Sequence, residues 1–266
     1  MHQVYLAGSS LAVSRLAFGT ASLHHVGARE RDRLIGIAVD LGISHFDTSP
    51  YYGNGIGEIA LAALDRRISV ATKVGLYPPG GAHGSRLRLY ANRALGRILP
   101  EVTRPLVDFS VEHARRSLDG SLRRLRRERV DILFLHEPRQ ELIATHEWQK
   151  WLDDERDRLG LVGIAGELSA LLPLVADGCP LARVIQTRAL PHGAETQALL
   201  MHGRAPHITY GHLAPCKDKA AVAAAIRGAM AVEPERVMLV STRRPGRLAE
   251  IVRAAQLDNS RTRLRA

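Results

Sequence analysis

Short apolar runs alternate with amphipathic segments along almost the whole chain. The apolar runs are rich in Val, Ile and Leu and are continuous, which is typical of strands covered on both faces in a parallel sheet. They predict eight strands, at Leu16–Gly19, His45–Asp47, Ser69–Lys73, Val130–Leu135, Leu161–Ala165, Val184–Thr187, Ile208–Tyr210 and Val237–Val240. Helical periodicity recurs between them, for example over Arg31–Asp40, Glu58–Arg66, Val111–Arg126, Ala220–Met230 and Gly246–Gln256.

Eight strands, each followed by a helix or a helix-sized spacer, predict an α/β fold of the (β/α)8 or TIM-barrel type. A short N-terminal hairpin, Val4–Gly8 with Leu11–Val13, is expected to close the bottom of this barrel. No linker, repeat or low-complexity block divides the chain, so we expect a single domain over residues 1–266. The longest interruption, from Gly75 to about Pro105, is expected either beside a substrate mouth or as a surface excursion.

Composition narrows the class of protein. Hydrophobic residues make up 45% of the 266 positions, as in a soluble globular protein. Residues 1–10 carry no basic region followed by an apolar run, and no apolar stretch approaches the roughly 18 residues that span a bilayer. The two cysteines, Cys179 and Cys216, have neither CxxC spacing nor a histidine cluster. We therefore expect a cytoplasmic protein with reduced thiols, no metal site and no membrane partner.

The net charge of +10 raises the question of nucleic-acid binding, because Lys and Arg attract phosphate. The basic residues, however, are spread over many predicted helices, and no nucleic-acid motif is present. Aromatic residues are only 5% of the chain, which leaves few stacking platforms for single strands. We expect no nucleic-acid partner. Only four of the 37 basic residues are lysines, so Lys73 at a strand end is an unusual choice in this chain.

Polar side chains end three neighbouring predicted strands. Asp47 ends the second strand and Tyr52 follows it in a Gly-rich loop, while Lys73 ends the third and His136 follows the fourth. Residues just past the carboxyl ends of barrel strands converge on one pocket. There, the Lys73 ammonium is expected to lower the pKa of the Tyr52 phenol from its usual value of about 10, with Asp47 holding Lys73 charged. A neutral His136 could orient a substrate carbonyl, so the group suits proton delivery to a carbonyl oxygen.

Each of these residues also has a purely structural interpretation. An aspartate near a strand end is commonly a helix N-cap or a turn former. A tyrosine in a loop usually packs, a histidine beside a proline is usually structural, and Lys73 could pair with a surface acid. The coincidence of four such residues at the ends of three strands favours the catalytic interpretation.

The segment Phe46-Asp47-Thr48-Ser49-Pro50-Tyr51-Tyr52-Gly53 resembles the Asp-Thr-Ala-x-x-Tyr-Gly signature of the aldo-keto reductase superfamily. The resemblance extends from Arg15–Ala21 to Pro245–Leu248, and residues 108–122 resemble the aldose (galactose- or fucose-type) dehydrogenase branch. It implies a small-molecule carbonyl or sugar substrate and hydride transfer, with Tyr52 as general acid or base. The implied catalytic tetrad is Asp47, Tyr52, Lys73 and His136.

A nicotinamide cofactor is also implied by the resemblance. No GxGxxG element follows a strand, so a Rossmann site is not indicated, and the resemblance implies instead an extended NAD(P)H across the top of the barrel. Gly19 and Thr20 match the first-strand cofactor contact. Gln186 matches the side chain that binds the nicotinamide amide, and Tyr210 matches the aromatic residue that stacks on the ring.

The segment Ser241–Arg247 resembles the phosphate-binding turn of that family at a helix start, where backbone N–H groups, the helix dipole and arginines favour an anion. The expected contacts are Ser241, Thr242, Arg243 and Arg247. Arg247 matches the arginine at the adenosine 2′-phosphate, which favours NADP. Ser241 stands where a lysine is usual, and NAD remains an alternative.

Two departures from the family pattern affect the cofactor site. Ala165 and Gly166 stand where a Ser-Asn pair usually holds the nicotinamide amide, and their absence would cost about 1–3 kcal/mol of binding. Only 26 residues separate Tyr210 from Val237, where many members are longer. These departures leave open a second hypothesis, a non-catalytic binding or regulatory protein on the same barrel with a degraded cofactor site.

Overall fold

Eight parallel strands close into a barrel in the computed structural model, which describes residues 1–79, 81–82, 87, 91, 104–216 and 218–262. The strands are β1 Gln3–Tyr5, β2 Ala12–Ser14, β3 Leu16–Gly19, β4 His45–Asp47, β5 Ser69–Val74, β6 Leu76–Tyr77, β7 Leu106–Val107, β8 Val130–His136, β9 Leu159–Gly166, β10 Val184–Arg188, β11 Ile208–Tyr210 and β12 Val237–Val240. The barrel runs in the order β3, β4, β5, β8, β9, β10, β11 and β12, and β12 pairs with β3 to close it. The predicted barrel is confirmed.

The barrel strands begin and end within two residues of the positions that the apolar runs predict. Their side chains are buried on both faces, as in β5, where all six residues from Ser69 to Val74 are buried. One face points into the barrel and the other is covered by helices, so a continuous apolar run is what such a strand requires. This double burial explains why the strands are readable from the sequence.

Helices follow most of the barrel strands. They are α1 Ala28–Asp40, α2 Ile56–Ala60, α3 Val111–Leu125, α4 Thr145–Asp154, α5 Leu168–Ala176, α6 Ala194–Leu200, α7 Lys219–Val232 and α8 Pro245–Thr262. Short 3-10 turns lie at Leu6–Gly8, Leu23–His25, Gln140–Leu142 and Pro191–Gly193. None of the helices described here is both long and apolar enough to cross a membrane.

Helix boundaries are less predictable than strand boundaries. The helix expected over Glu58–Arg66 is only five residues long and ends at Ala60. The periodic pattern did not single out α4, α5 or α6. α5 is almost uniformly apolar and contains Pro173, and α6 has seven residues, too few for a clear period. Two of the described helices have side-chain caps: the Ser110 hydroxyl caps α3 by accepting a hydrogen bond from the His113 N–H at 3.3 Å, and Asp218 caps α7 by accepting one from the Ala221 N–H at 2.8 Å.

The N-terminal hairpin closes the amino-terminal end of the barrel. β1 and β2 pair antiparallel, with Val4 opposite Val13. Val4, Leu6 and Val13 are buried in one apolar cluster with side chains of the barrel interior, among them Ile132 and Phe134. The predicted hairpin is confirmed, and it leaves the carboxyl-terminal end as the open end.

Most of the interruption between β5 and β8 lies outside the described residues. Pro79 is described, whereas Gly80 and the basic segment around Arg86 are not, apart from Leu87. The two ends of the interruption are held together by the antiparallel pair of β6 and β7, with Leu76 opposite Val107. Phe109 follows this pair and packs against Gly75, where a Cβ atom would lie 2.1 Å from the Phe109 ring. Both ends of the interruption are therefore anchored to the barrel.

We expect Gly163→Ala to lower the free energy of unfolding by about 2 kcal/mol or more, because the added Cβ on β9 would lie 2.2 Å from the Val184 carbonyl oxygen. Gly36→Ala is the matched control, since Gly36 lies in α1 with open space around it and should gain about 1 kcal/mol. Urea unfolding measures both. Equal stability of the Gly163→Ala variant and the native protein would contradict this packing of β9 against β10.

Candidate active site

The carboxyl ends of three adjacent barrel strands bring the predicted polar residues together. Asp47 and His136 are the last residues of β4 and β8, and Lys73 is the last but one of β5. In the ladder, Lys73 pairs with Phe134 and His136 pairs with Ala165. Because parallel strands end at the same edge, these side chains reach one end of the barrel. Tyr52 follows β4 in a turn, where its N–H donates to the Ser49 carbonyl at 3.0 Å.

A buried ion pair joins β4 to β5. The Lys73 Nζ donates to Asp47 Oδ2 at 2.5 Å and to the Thr48 carbonyl oxygen at 3.1 Å. Lys73 is 1% exposed and Asp47 is 2% exposed. Burial lowers the pKa of Lys73, and the Asp47 carboxylate opposes that shift. Charges removed from water to this extent persist only when each compensates the other, so neither residue is expected to tolerate the loss of its partner.

Tyr52 lies next to this pair and next to His136. The Lys73 Nζ is 5.1 Å from the centre of the Tyr52 ring, and the His136 ring meets it edge-on at a centroid distance of 5.8 Å. Burial and then the Asp47 carboxylate raise the pKa of Tyr52 well above its usual value. This direction is opposite to the one expected from the sequence. Burial therefore outweighs the effect expected of the Lys73 ammonium, whose described hydrogen bonds go to Asp47 and Thr48 and not to the phenol.

His136 is a neutral imidazole at pH 7. Burial, followed by the positive charge of Lys73, lowers the pKa of His136 to about 3. Its Nδ1 is buried and has no hydrogen-bond partner among the described residues. A neutral ring of this kind can donate one hydrogen bond to a ligand oxygen without carrying a charge into the site.

A cavity of about 420 Å³ opens above these residues. Eight residues selected from the sequence line it: Gly19, Asp47, Tyr52, Lys73, His136, Gln186, Tyr210 and Ser241. Four others do not, namely Thr20, Thr242, Arg243 and Arg247. The Thr20 side chain is fully buried, and its hydroxyl donates to the Thr48 hydroxyl at 2.8 Å. The structure therefore places the four tetrad residues and half of the expected cofactor contacts around one space.

Gln186 and Tyr210 form the wall opposite β4 and β5. Gln186 stands on β10 in register with Ala165 on one side and Ile208 on the other. Its Oε1 is buried without a hydrogen-bond partner in the described part of the chain, so it can accept one from a ligand amide. Tyr210 ends β11, and the Arg188 guanidinium lies 5.6 Å from the centre of its ring. These groups suit the carboxamide and ring of a nicotinamide.

The turn between β12 and α8 borders the cavity. The Ser241 hydroxyl is 2.9 Å from the Ser22 hydroxyl, and Thr242 Oγ1 accepts from the Arg244 N–H at 3.2 Å. Arg243 is exposed, and Arg247 Nη1 is 3.9 Å from Glu250 Oε2. A turn with two arginines at the start of an 18-residue helix is electrostatically favourable for an anion.

Sequence reasoning missed several residues of the cavity wall, namely Ala21, Glu137, His212, Leu213 and Ala214. The last three lie in the short segment after β11, which therefore lines the cavity despite its length. Glu137 has a left-handed backbone with φ of 48°, which is unusual for a residue other than glycine. The one available signal was its position directly after His136.

Comparison with known proteins agrees with this architecture. The model of the Aldo/keto reductase family matches residues 15–163, which is more than half of the chain. The chain is 33% identical over 143 residues to L-galactose dehydrogenase of Arabidopsis thaliana, covering 50% of this chain and 37% of that protein. It is 30% identical over 155 residues to pyridoxal 4-dehydrogenase of Microbacterium luteolum, covering 50% of this chain and 42% of that protein. The matched stretch thus spans less than half the length of these relatives.

A solved structure shows the same fold over nearly the whole chain. An aldo-keto reductase from Bacillus halodurans superposes with a TM-score of 0.71, covering 96% of this chain and 91% of that chain, at 16% identity. At that identity the likeness concerns the fold, and the chemistry has to be argued from the residues described above.

We expect the Asp47–Lys73 pair to be strongly coupled. Asp47→Asn or Lys73→Met alone should each lower the free energy of unfolding by about 3 kcal/mol, because each leaves one buried charge without a partner. The double variant should lose less than the sum of the two, by about 1 kcal/mol or more. The exposed pair Asp65–Arg67, measured by the same urea unfolding cycle, should show no coupling. Additive losses at Asp47 and Lys73 would contradict the buried pair.

Proposed function

The chain belongs to the aldo/keto reductase family, and we propose that it is an NAD(P)-dependent oxidoreductase that interconverts a carbonyl group with an alcohol or a lactone. One observation carries the proposal: the Asp47–Lys73 pair, Tyr52 and neutral His136 open on the same cavity as Gln186 and Tyr210. A proton donor and a set of groups that fit a nicotinamide thus face one space.

Tyr52 is the proposed proton donor for carbonyl reduction. The raised pKa of Tyr52 keeps its hydroxyl protonated at neutral pH, so it can deliver a proton to a carbonyl oxygen. The same raised pKa makes Tyr52 a poor base at neutral pH, so the reverse reaction is favoured by alkaline conditions. His136, as a neutral imidazole, is proposed to orient the carbonyl by a hydrogen bond.

Lys73 acts electrostatically in this proposal. The ammonium is held by Asp47 and by the Thr48 carbonyl, so its positive charge is already in position next to Tyr52 and does not have to move during the reaction. A fixed positive charge stabilises the negative charge that develops on the substrate oxygen or on the phenol as the proton moves. Asp47 is then a positioning residue that keeps Lys73 in place.

The cofactor supplies or accepts the hydride at the carbonyl carbon when it is bound. Gln186 and Tyr210 are proposed to hold its nicotinamide end, with Gly19 giving it room at the end of β3. The turn with Ser241, Thr242, Arg243 and Arg247 is proposed to hold its phosphates, while Thr20 is buried and ties the end of β3 to Thr48 after β4. The two arginines favour NADP, and NAD remains the alternative.

The substrate is proposed to be a small polar carbonyl compound or a sugar. The two relatives named above are dehydrogenases of galactose and of pyridoxal, both of which are polar aldehydes. A cavity of about 420 Å³ that also holds a nicotinamide ring leaves room for a compound of this size and not for a much larger one.

We expect saturable quenching of protein fluorescence by NADPH and NADH, with NADPH binding about tenfold more tightly. Arg247→Ala should remove most of this preference, because a charge-assisted hydrogen bond to the 2′-phosphate is worth about a factor of ten or more in affinity. Arg253→Ala, an exposed arginine further along α8, is the matched control and should change neither affinity.

Either of two results would count against these assignments. Failure of both cofactors to bind at millimolar concentration would refute the oxidoreductase and favour a non-catalytic barrel. Equal affinity for NADPH and NADH would refute only the NADP preference.

We expect Tyr52→Phe to lower kcat for the reduction of aldehydes or aldoses about a thousandfold, since the proton donor is lost while the ring remains. Its affinity for NADPH should stay within about threefold of the native value. Tyr51→Phe removes the neighbouring hydroxyl, which does not line the cavity, and should retain native activity. A Tyr52→Phe variant with native kcat would exclude Tyr52 as the donor.

A further inference from the structure

The charges around the cavity are unequally compensated. Asp47, one of the two acidic residues in its wall, is paired with Lys73 at 2.5 Å. Behind the wall, Glu167 is paired with the Arg188 guanidinium at 2.7 Å. Glu137 is the second acidic residue of the wall, and within the described residues it forms no ion pair. Its Oε2 accepts a hydrogen bond from the Glu167 N–H at 3.1 Å. The described part of the cavity wall therefore carries one carboxylate with no cation in direct contact, although the Arg188 guanidinium, paired with Glu167, is near enough to oppose the rise of its pKa.

The backbone holds this carboxylate in place. The Glu137 N–H donates to the Ala165 carbonyl at 2.7 Å, and the residue adopts a left-handed conformation with φ of 48°. A Cβ atom on Gly166 would lie 2.6 Å from Glu137 Oε2, so the carboxylate occupies the space that a side chain at position 166 would fill. A strained residue that lies over a glycine in a ligand cavity is typical of a functional position.

The charge of Glu137 acts on both aromatic residues that a nicotinamide would meet. Its negative charge contributes to the raised pKa of Tyr210, after burial and Glu167, and makes the smallest contribution to the raised pKa of Tyr52, after burial, Asp47 and Tyr210. Partial burial raises the pKa of Glu137 itself, which means that its charge is poorly solvated where it stands. Gln186, whose Oε1 lacks a partner in the described structure, is in register with Ala165 beside it.

The oxidised and reduced forms of a nicotinamide differ in charge at the ring. The oxidised ring carries a positive charge and the reduced ring is neutral, while their shape and carboxamide are nearly the same. A poorly solvated carboxylate in the wall of the site attracts the first and is indifferent to the second. Hydrogen bonds that Glu137 accepts from the carboxamide N–H groups would favour both forms alike.

We propose that Glu137 is a specificity-determining residue that makes this cavity prefer the oxidised, cationic form of its nicotinamide cofactor. The inference rests on the proposed function, since it requires that a nicotinamide binds beside Gln186 and Tyr210. Its consequence for the reaction is that the oxidised cofactor dissociates more slowly than it would from a wall without this charge.

A pair of dissociation constants tests the proposal. NADP⁺ and NADPH are titrated by calorimetry and by fluorescence into the native protein, Glu137→Gln and Glu141→Gln at one ionic strength. Glu137→Gln keeps an acceptor for the Glu167 N–H and removes the charge, so we expect NADP⁺ to bind about fivefold more weakly and NADPH to change by less than twofold. Glu141→Gln removes an equal charge from an exposed turn after the same strand and should leave both constants unchanged.

The outcomes separate this inference from the proposed function. If the native protein binds neither form, both fail. If it binds both and Glu137→Gln leaves the ratio of the two constants unchanged, the proposed function stands and the role of Glu137 is overturned. Glu137→Asn is a second uncharged variant whose side chain tolerates the left-handed backbone, and it should shift the ratio in the same direction. Its result decides the question if Glu137→Gln does not fold.

Discussion

The buried ion pair between Asp47 and Lys73 is the constraint on which the open end of the barrel depends. Two charges that are almost fully removed from water can persist there because they lie 2.5 Å apart. The pair ties the end of β4 to the end of β5 and leaves Tyr52 and His136 beside a positive charge of fixed position. Burial is the larger cause of both protonation states: it raises the pKa of Tyr52, which keeps its proton, and it lowers the pKa of His136, which the Lys73 charge lowers further.

The cavity wall beside the end of β9 differs from what the sequence implied. Ala165 and Gly166 offer no polar side chains where the family pattern has them, yet the wall is not apolar at that point. Glu137 reaches over Gly166 and brings a carboxylate to the place that a longer side chain would occupy. Glu137, which directly follows β8, thus supplies a polar group where Ala165 and Gly166 supply none.

Most of the fold could be predicted from the sequence, and so could eight of the twelve expected site residues, which the structure places around one cavity. The strands could be predicted because burial on both faces requires continuous apolar runs. The helices α5 and α6 could not, because α5 is too uniformly apolar and α6 is too short to show a helical period. The convergence of Asp47, Tyr52, Lys73 and His136 on one cavity could be predicted because the carboxyl ends of barrel strands meet. The direction of the Tyr52 pKa could not, since it depends first on how deeply the phenol is buried and then on the nearby Asp47 charge. Glu137 was missed because a left-handed backbone at a glutamate leaves no trace in the residue pattern.

The hairpin of β1 and β2 has a kinetic consequence. Val4, Leu6 and Val13 fill the lower interior together with Ile132 and Phe134, so the described residues leave no passage through the amino-terminal end. A ligand of the cavity therefore enters and leaves at the carboxyl-terminal end. Two ligands that occupy the cavity together must pass the same opening, so the one that binds deeper has to bind first and dissociate last.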